Sequence, residues 1–258
     1  MTLLSDRIVN VFTRGGPLTG NPLCVFEDGS AVDDATMQAL ARQFNLSETT
    51  FVLASDRATA RVRIFTPSYE MPFAGHPTLG TAHVVRSLRG AGDALALEMK
   101  AGIIPVTAAR NRWTLEANAP RWREAAGSRA ELAEILGLAA ADIAERPLWV
   151  NAGKEQLLVP VTSPEAVRRA RPRTDAFARL KSEDGHGMAY VFSDGGDAAG
   201  TVVSRFFFPS GPAVLEDPAT GSACANLGGW YSALRPGDRK STRLNSSHIQ
   251  KSRMPSSA

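Results

Sequence analysis

The chain is poor in cysteine. Among 258 residues only Cys24 and Cys224 occur, too few for a disulfide framework or a cysteine-rich zinc site. No apolar run approaches the roughly 18 residues that a membrane-spanning helix needs. The first residues, Met1 to Asp6, carry no basic stretch followed by an apolar one, so no secretory leader is expected. These absences point to a cytoplasmic protein that does not contact a membrane. Charge of one sign is also lacking. The formal net charge is +3, but residues 236–258 set five basic side chains against Asp238 alone, so they carry +4 and the remaining body −1. A body without a basic stripe offers nothing to nucleic acid. No metal or nucleotide motif is present, so no metal and no cofactor are expected. What is there, 43% apolar and 21% charged residues, is the composition of a globular protein, in a chain long enough for two domains.

Residues 236–258 stand apart. They hold six serines and scattered single apolar residues with no period, and cannot offset the entropy cost of being ordered. This segment is expected to be disordered and foreign to the fold.

The body contains an internal repeat. Arg63-Ile64-Phe65-Thr66-Pro67-Ser68 matches Arg205-Phe206-Phe207-Phe208-Pro209-Ser210, at an offset of 142. Phe73-Ala74-Gly75-His76-Pro77 then falls opposite Ala219-Thr220-Gly221-Ser222-Ala223 at an offset of 146, so a short insertion separates the two matches. Each copy reads as strand, Pro-containing loop, Gly turn and a helix of small and apolar residues. Chance similarity of two buried strands is the alternative; the shared Arg-x-Phe-x-Pro-Ser followed by a Gly turn favours duplication.

The hydrophobic pattern predicts strands at 8–12, 23–26, 50–53, 60–65, 95–99 and 113–116 in the first half, and at 148–150, 156–161, 188–192 and 201–208 in the second. Met37, Leu40, Ala41 and Phe44 predict a helix over 34–44, with Asp33 or Asp34 as cap. Ser128-Arg129-Ala130-Glu131 is a capping box with Gly137 as the stop, and Ser163-Pro164 opens a short helix. The helix from His76 to Gly90 is apolar all round, as is the one from Gly221, and such helices are buried. The expected fold is therefore α+β. It has two pseudo-symmetric domains, 1–118 and 119–235, each a curved mixed sheet around a central buried helix.

Pseudo-symmetry would aim both buried helix starts at one cleft. Unpaired amides and the helix dipole make each start an anion site, and Gly75 and Gly221 allow close approach of a carboxylate. The competing reading is that both are ordinary turns and caps. Glu48 lies between a helix and an apolar strand, where partial burial would raise its pKa and suit it to proton transfer near neutral pH. It could equally be a solvated loop carboxylate or a cap. Asp217, ahead of the second helix, could be a simple turn residue. His76, at the first helix start, could be a proton relay or a satisfied histidine.

Five segments together resemble the PhzF family, the phenazine-biosynthesis-like isomerases. They are Gly20-Asn21-Pro22, Asn45-Leu46-Ser47-Glu48-Thr49, Arg63-Ile64-Phe65-Thr66-Pro67, Pro72-Phe73-Ala74-Gly75-His76-Pro77 and Asp217-Pro218-Ala219-Thr220-Gly221-Ser222. They occur in the family's order across roughly residues 8–234. The resemblance implies the diaminopimelate epimerase-like fold, with Glu48 as catalytic acid/base and His76, Asp217 and Ser222 around the substrate. It also implies that the amides of Gly75, Gly221 and Ser222 hold the substrate carboxylate, and that the protein is a homodimer. The implied reaction is a proton shift in a small unsaturated or cyclic carboxylic acid such as a dihydro-hydroxyanthranilate. The alternatives are an amino-acid epimerase or racemase, and a carboxylate-binding protein without turnover. Epimerases of this fold place a cysteine before each Gly turn; here those positions are Ala74 and Thr220, which argues against two-thiol chemistry. Family chains continue beyond the point equivalent to Leu234, so the C-terminal half is expected to be truncated.

Overall fold

A computed structural model describes residues 3–13, 18–116, 118–144, 146–195 and 201–234, together with the backbone of 248–251. In chain order the elements are β1 (Asp6–Thr13), β2 (Asn21–Phe26), α1 (Asp34–Phe44), β3 (Thr49–Leu53), β4 (Ala60–Phe65), β5 (Glu70–Met71), α2 (Gly75–Arg89), β6 (Ala94–Met99), β7 (Gly102–Ala109) and β8 (Arg112–Leu115). There follow β9 (Arg121–Glu124), α3 (Arg129–Leu136), a 3-10 turn (Ala140–Asp142), β10 (Leu148–Asn151), β11 (Glu155–Pro160), α4 (Pro164–Arg169) and α5 (Thr174–Phe177). The last are β12 (Ala189–Asp194), β13 (Val202–Ser210), β14 (Ala213–Asp217), α6 (Gly221–Leu234) and β15 (His248–Lys251). They form two compact units: Met1–Glu116 with Asn245–Ala258, and Ala117–Leu244. Among the described residues no helix is long and apolar enough to cross a membrane.

In the first unit the strands run β3-β2-β1-β15-β8-β7-β6-β4, and β3 pairs again with β4, which closes the sheet on itself. The closed sheet surrounds α2. Alternation along each strand, set by the two-residue period of the pleat, divides the side chains into two cores. Val9, Val11, Leu23, Val25, Val52, Val62 and Ile64 pack inward on Leu79, Ala82, Val84 and Val85 of α2. Cys24, Phe26, Phe51 and Phe65 face outward, beneath Met37 and Ala41 of α1. A Cβ at Gly80 would lie 2.6 Å from Leu23 Cδ2 and 3.0 Å from Val11 Cγ2, so a glycine lets α2 approach β1 and β2. The helix is bounded as its sequence dictates: Gly90 takes the left-handed C-cap at φ 58°.

The second unit is an open sheet of order β14-β13-β12-β11-β10-β9. The same alternation separates its faces. Leu148, Val150, Leu158, Tyr190, Phe192 and Phe206 pack against Ala223, Leu227 and Trp230 of α6. Trp149, Leu157, Val159, Val191 and Phe207 pack on the opposite face with α3, α4 and α5. Ser128 and Glu131 form the expected capping box of α3. Among the described residues β9 and β14 are sheet edges, and α6 keeps Ser232 exposed and Cys224 and Ala225 half-buried.

The duplication extends to topology. In the first unit β1 and β2 are antiparallel, β2 runs parallel to β3 across α1, β3-β4-β5 is an antiparallel meander, and α2 follows. In the second unit β10 and β11 are antiparallel, β11 runs parallel to β12 across α4 and α5, β12-β13-β14 is antiparallel, and α6 follows. Arg63 clasps Glu70 of the adjacent strand through two hydrogen bonds of 2.8 Å, and Arg205 clasps Glu216 at 2.8 and 2.6 Å. Each guanidinium also lies over the phenylalanine two residues on, at 5.0 Å from Phe65 and 4.8 Å from Phe207. The repeated Arg-x-Phe is therefore a hairpin clamp, and the four inserted residues lengthen the β13–β14 hairpin around its turn.

The expectation for 236–258 needs correction. Within it, His248–Lys251 form β15, antiparallel to β1 through Val9↔Lys251 and Asn10↔Gln250, and paired with β8 at His248↔Arg112. The segment is thus not wholly disordered. The strand covers an edge of β1 and meets β8 at one residue pair, so backbone pairing rather than local composition orders it. The rest of 236–258 lies outside the described residues.

Candidate active site

In the first unit two chain reversals bring the proposed residues together. Asn45 ends α1 in the left-handed conformation at φ 51° and bonds its amide to the Ala41 carbonyl. The chain then enters β3 at Thr49, which leaves Glu48 at the sheet's end with its side chain 16% exposed. Pro72 to Ala74 lead from β5 into α2, and His76 occupies the helix's second position, 7% exposed. Glu48 Oε2 stands 3.4 Å from His76 Nδ1.

That distance is within ion-pair range, yet the ring is uncharged at neutral pH. Burial pushes the His76 pKa down to about 3, and a hydrogen bond to the Pro22 backbone only partly opposes this. Among the described residues the buried His76 Nε2 has no hydrogen-bond partner.

The start of α2 is built to leave its amides available. Its N-cap is Ala74, which is extended and offers no side-chain hydrogen bond. Thr78 instead bonds its hydroxyl to the Ala74 carbonyl at 2.6 Å. A Cβ at Gly75 would meet no atom within 4 Å, so there is room beside these amides. Deeper in, Thr81 of α2 bonds Thr50 of β3 at 2.8 Å, which fixes the helix against the strand that follows Glu48.

In the second unit Asp217 ends β14 and accepts a hydrogen bond from the Thr220 hydroxyl. Ser222, at the position equivalent to His76, accepts one from Gln156 Nε2 at 2.9 Å. Gly221 is the first residue of α6. Aligned through the Arg63 and Arg205 clamps, Phe51↔Arg63 and Val191↔Arg205 are equivalent pairs, so Met188 takes the place of Glu48. The repeat thus carries an acid at this position in one copy only.

The cysteines offer no second acid or base. Burial raises both thiols, and for Cys24 the neighbouring Asp6 adds to it. Among the described residues no three metal-ligating side chains cluster. Sequence reasoning missed Gln156 and Asn226. The signal was present: a lone amide opens the apolar run Gln156-Leu157-Leu158-Val159, and another interrupts the buried face of α6.

A family model described as phenazine biosynthesis-like protein matches residues 9–256. An uncharacterised isomerase of Pasteurella multocida is 35% identical over 242 residues, 89% of this chain and 78% of that protein. A trans-2,3-dihydro-3-hydroxyanthranilate isomerase of Pseudomonas fluorescens is 36% identical, covering 82% and 74%. The crystal structure of a Bacillus anthracis phenazine biosynthesis protein superposes with a TM-score of 0.82 at 29% identity, covering 90% of this chain and 81% of that one.

Proposed function

The chain belongs to the phenazine biosynthesis-like PhzC-PhzF family, and on that premise we propose that it is an isomerase that shifts a proton within a small unsaturated or cyclic carboxylic acid. The observation that carries this reading is the contact between Glu48 and an uncharged, buried His76 at the uncapped start of α2. Glu48 as carboxylate takes a proton from one carbon. The electron pair left behind moves through the conjugated system, and Glu48 returns a proton at another carbon. Atoms and electrons balance within the substrate, so no oxidant or reductant is needed.

The start of α2, with its open space at Gly75, suits the substrate carboxylate. His76 supplies a neutral hydrogen-bonding group beside the reacting centre. The second unit, taken by itself, offers Asp217, Gly221 and Ser222 as polar groups at the start of α6. General acid–base catalysis contributes about 10²–10⁴-fold, and a preorganised donor about 10²–10³-fold, so carboxylate binding and proton transfer must act together. The name of the Pseudomonas fluorescens relative makes trans-2,3-dihydro-3-hydroxyanthranilate the first compound to test. Two-thiol racemisation is disfavoured, because Ala74 and Thr220 precede the Gly turns and both thiols are raised. The test is turnover of that compound in deuterium oxide by the wild type and by Glu48→Gln. Loss of both conversion and label in the variant supports the reading, and retention of both contradicts it.

A further inference from the structure

We infer that Gln156 and Asn226 are positioning residues that fix the Ser222 hydroxyl as a hydrogen-bond donor facing away from the sheet, toward substrate. The inference rests on the reading of Ser222 as a substrate contact and names what sets its polarity.

The chain of hydrogen bonds has only one allowed direction. It begins at two backbone groups whose roles are fixed. The Ala152 N–H donates to Asn226 Oδ1 at 2.7 Å, and the Lys154 carbonyl accepts from Asn226 Nδ2 at 2.8 Å. Asn226 therefore cannot be turned over, and its Nδ2 must also be the donor in the 2.8 Å contact with Gln156. Gln156 then faces Asn226 with Oε1 and faces Ser222 with Nε2. A primary amide nitrogen only donates, so Ser222 Oγ accepts. The hydroxyl hydrogen cannot lie along that bond and must point elsewhere.

Burial makes this direction binding. Gln156 and Asn226 are each 1% exposed, so no bulk water competes for the amides. A reversed orientation would set like groups against each other at a backbone N–H and a backbone C=O. Leu148, Val150, Leu158, Ala223 and Leu227, from the same strands and helix, form an apolar cluster. A hydroxyl held this way is a ready donor to a substrate carboxylate or to oxygen that gains charge during the proton shift.

Two substitutions reverse the chain without emptying the site. In Gln156→Glu the carboxylate still accepts from Asn226, but presents an acceptor to Ser222, which draws the hydroxyl hydrogen inward. In Asn226→Asp the carboxylate draws Gln156 Nε2 toward itself and turns Oε1 to Ser222, with the same result. We expect binding of trans-2,3-dihydro-3-hydroxyanthranilate, measured in a Glu48→Gln background, to weaken roughly tenfold to a hundredfold in each. For Gln156→Glu the loss shrinks as pH falls, because the protonated carboxyl donates to Ser222 again. Gln156→Met, which has no polar group to reverse, gives a loss without that pH dependence.

A ligand-free measurement accompanies it: nuclear Overhauser contacts from the Gln156 side-chain amide hydrogens to the Ser222 Hβ atoms. Their presence supports the stated direction. Their absence, with those hydrogens found beside Asn226 instead, overturns it. Unchanged affinity in Gln156→Glu across pH also overturns the inference. Failure of the unsubstituted site to bind the compound would count against the proposed substrate, and the amide contacts would still decide the direction of the chain.

Discussion

A histidine enclosed at a helix start is the residue on which proton transfer and stability meet. His76 has its pKa pushed down to about 3 by burial, while in the unfolded chain it titrates near its ordinary 6.5. Below that value the unfolded state takes up a proton that the folded state refuses. Stability is therefore complete above about pH 6.5 and falls as pH drops toward 3, at up to about 1.4 kcal/mol per pH unit. Between pH 6.5 and 5, before carboxyls titrate, denaturant unfolding of the wild type should show this slope, and a His76→Asn variant should show less of it. Equal slopes would mean that the ring is not held neutral. Beside it, Gly75→Ala should fold as stably as the wild type, since the added methyl meets no atom. It should weaken carboxylate binding about tenfold or more by filling the space at the amides. Calorimetry and thermal melts separate the two effects, and unchanged affinity would remove Gly75 from the site.

Hairpins clamped by an arginine are the elements most faithfully duplicated. The hydrogen bonds from Arg63 lower the pKa of Glu70, and those from Arg205 lower that of Glu216. A lowered carboxyl contributes stability above its unfolded pKa and loses it as pH falls through the folded one. Glu70→Gln should cost about 1–2 kcal/mol at pH 7, a difference that narrows as pH falls through the lowered pKa of the folded carboxyl, measured by denaturant melts across an acid pH series. A constant difference would assign the effect to packing. This clamp also shows what was legible in the sequence. Arg-x-Phe-x-Pro-Ser announced the duplication, and the caps at Asp33, Ser128 and Ser163 announced three helix starts. Other elements gave no such signal. β7 contains Pro105, which pairs with β6 at Ala96 just before the pairing with β8 begins at Val106. β9 is Arg-Trp-Arg-Glu and largely exposed, and β5 has two residues, too few for any period. In the site, Glu48 and His76 could be named from motif position, but their contact depends on where α1 stops and β3 begins.

At the scale of the whole molecule, one unit is closed and the other open. The closure uses β15, a strand from a segment whose composition gave no sign of it, because pairing is decided by the edges of β1 and β8 rather than by local propensity. In hydrogen exchange, a chain ending at Leu234 should lose amide protection at whichever of Val9 and Asn10 turns its N–H toward β15, while the other, facing β2, and the amides of β11 and β12 keep theirs. Unchanged protection in β1 would show that β15 is dispensable. The proposed reaction draws on this enclosure, since it needs a single acid held at one end of the α2 unit and no equivalent at Met188. Conversion of trans-2,3-dihydro-3-hydroxyanthranilate in deuterium oxide tests that requirement most directly. The wild type should isomerise the compound and place solvent deuterium on one of its carbons, and a folded Glu48→Gln variant should lose both by about a hundredfold or more. Wild-type rates of conversion and labelling in Glu48→Gln would contradict the assignment of the proton shift to Glu48.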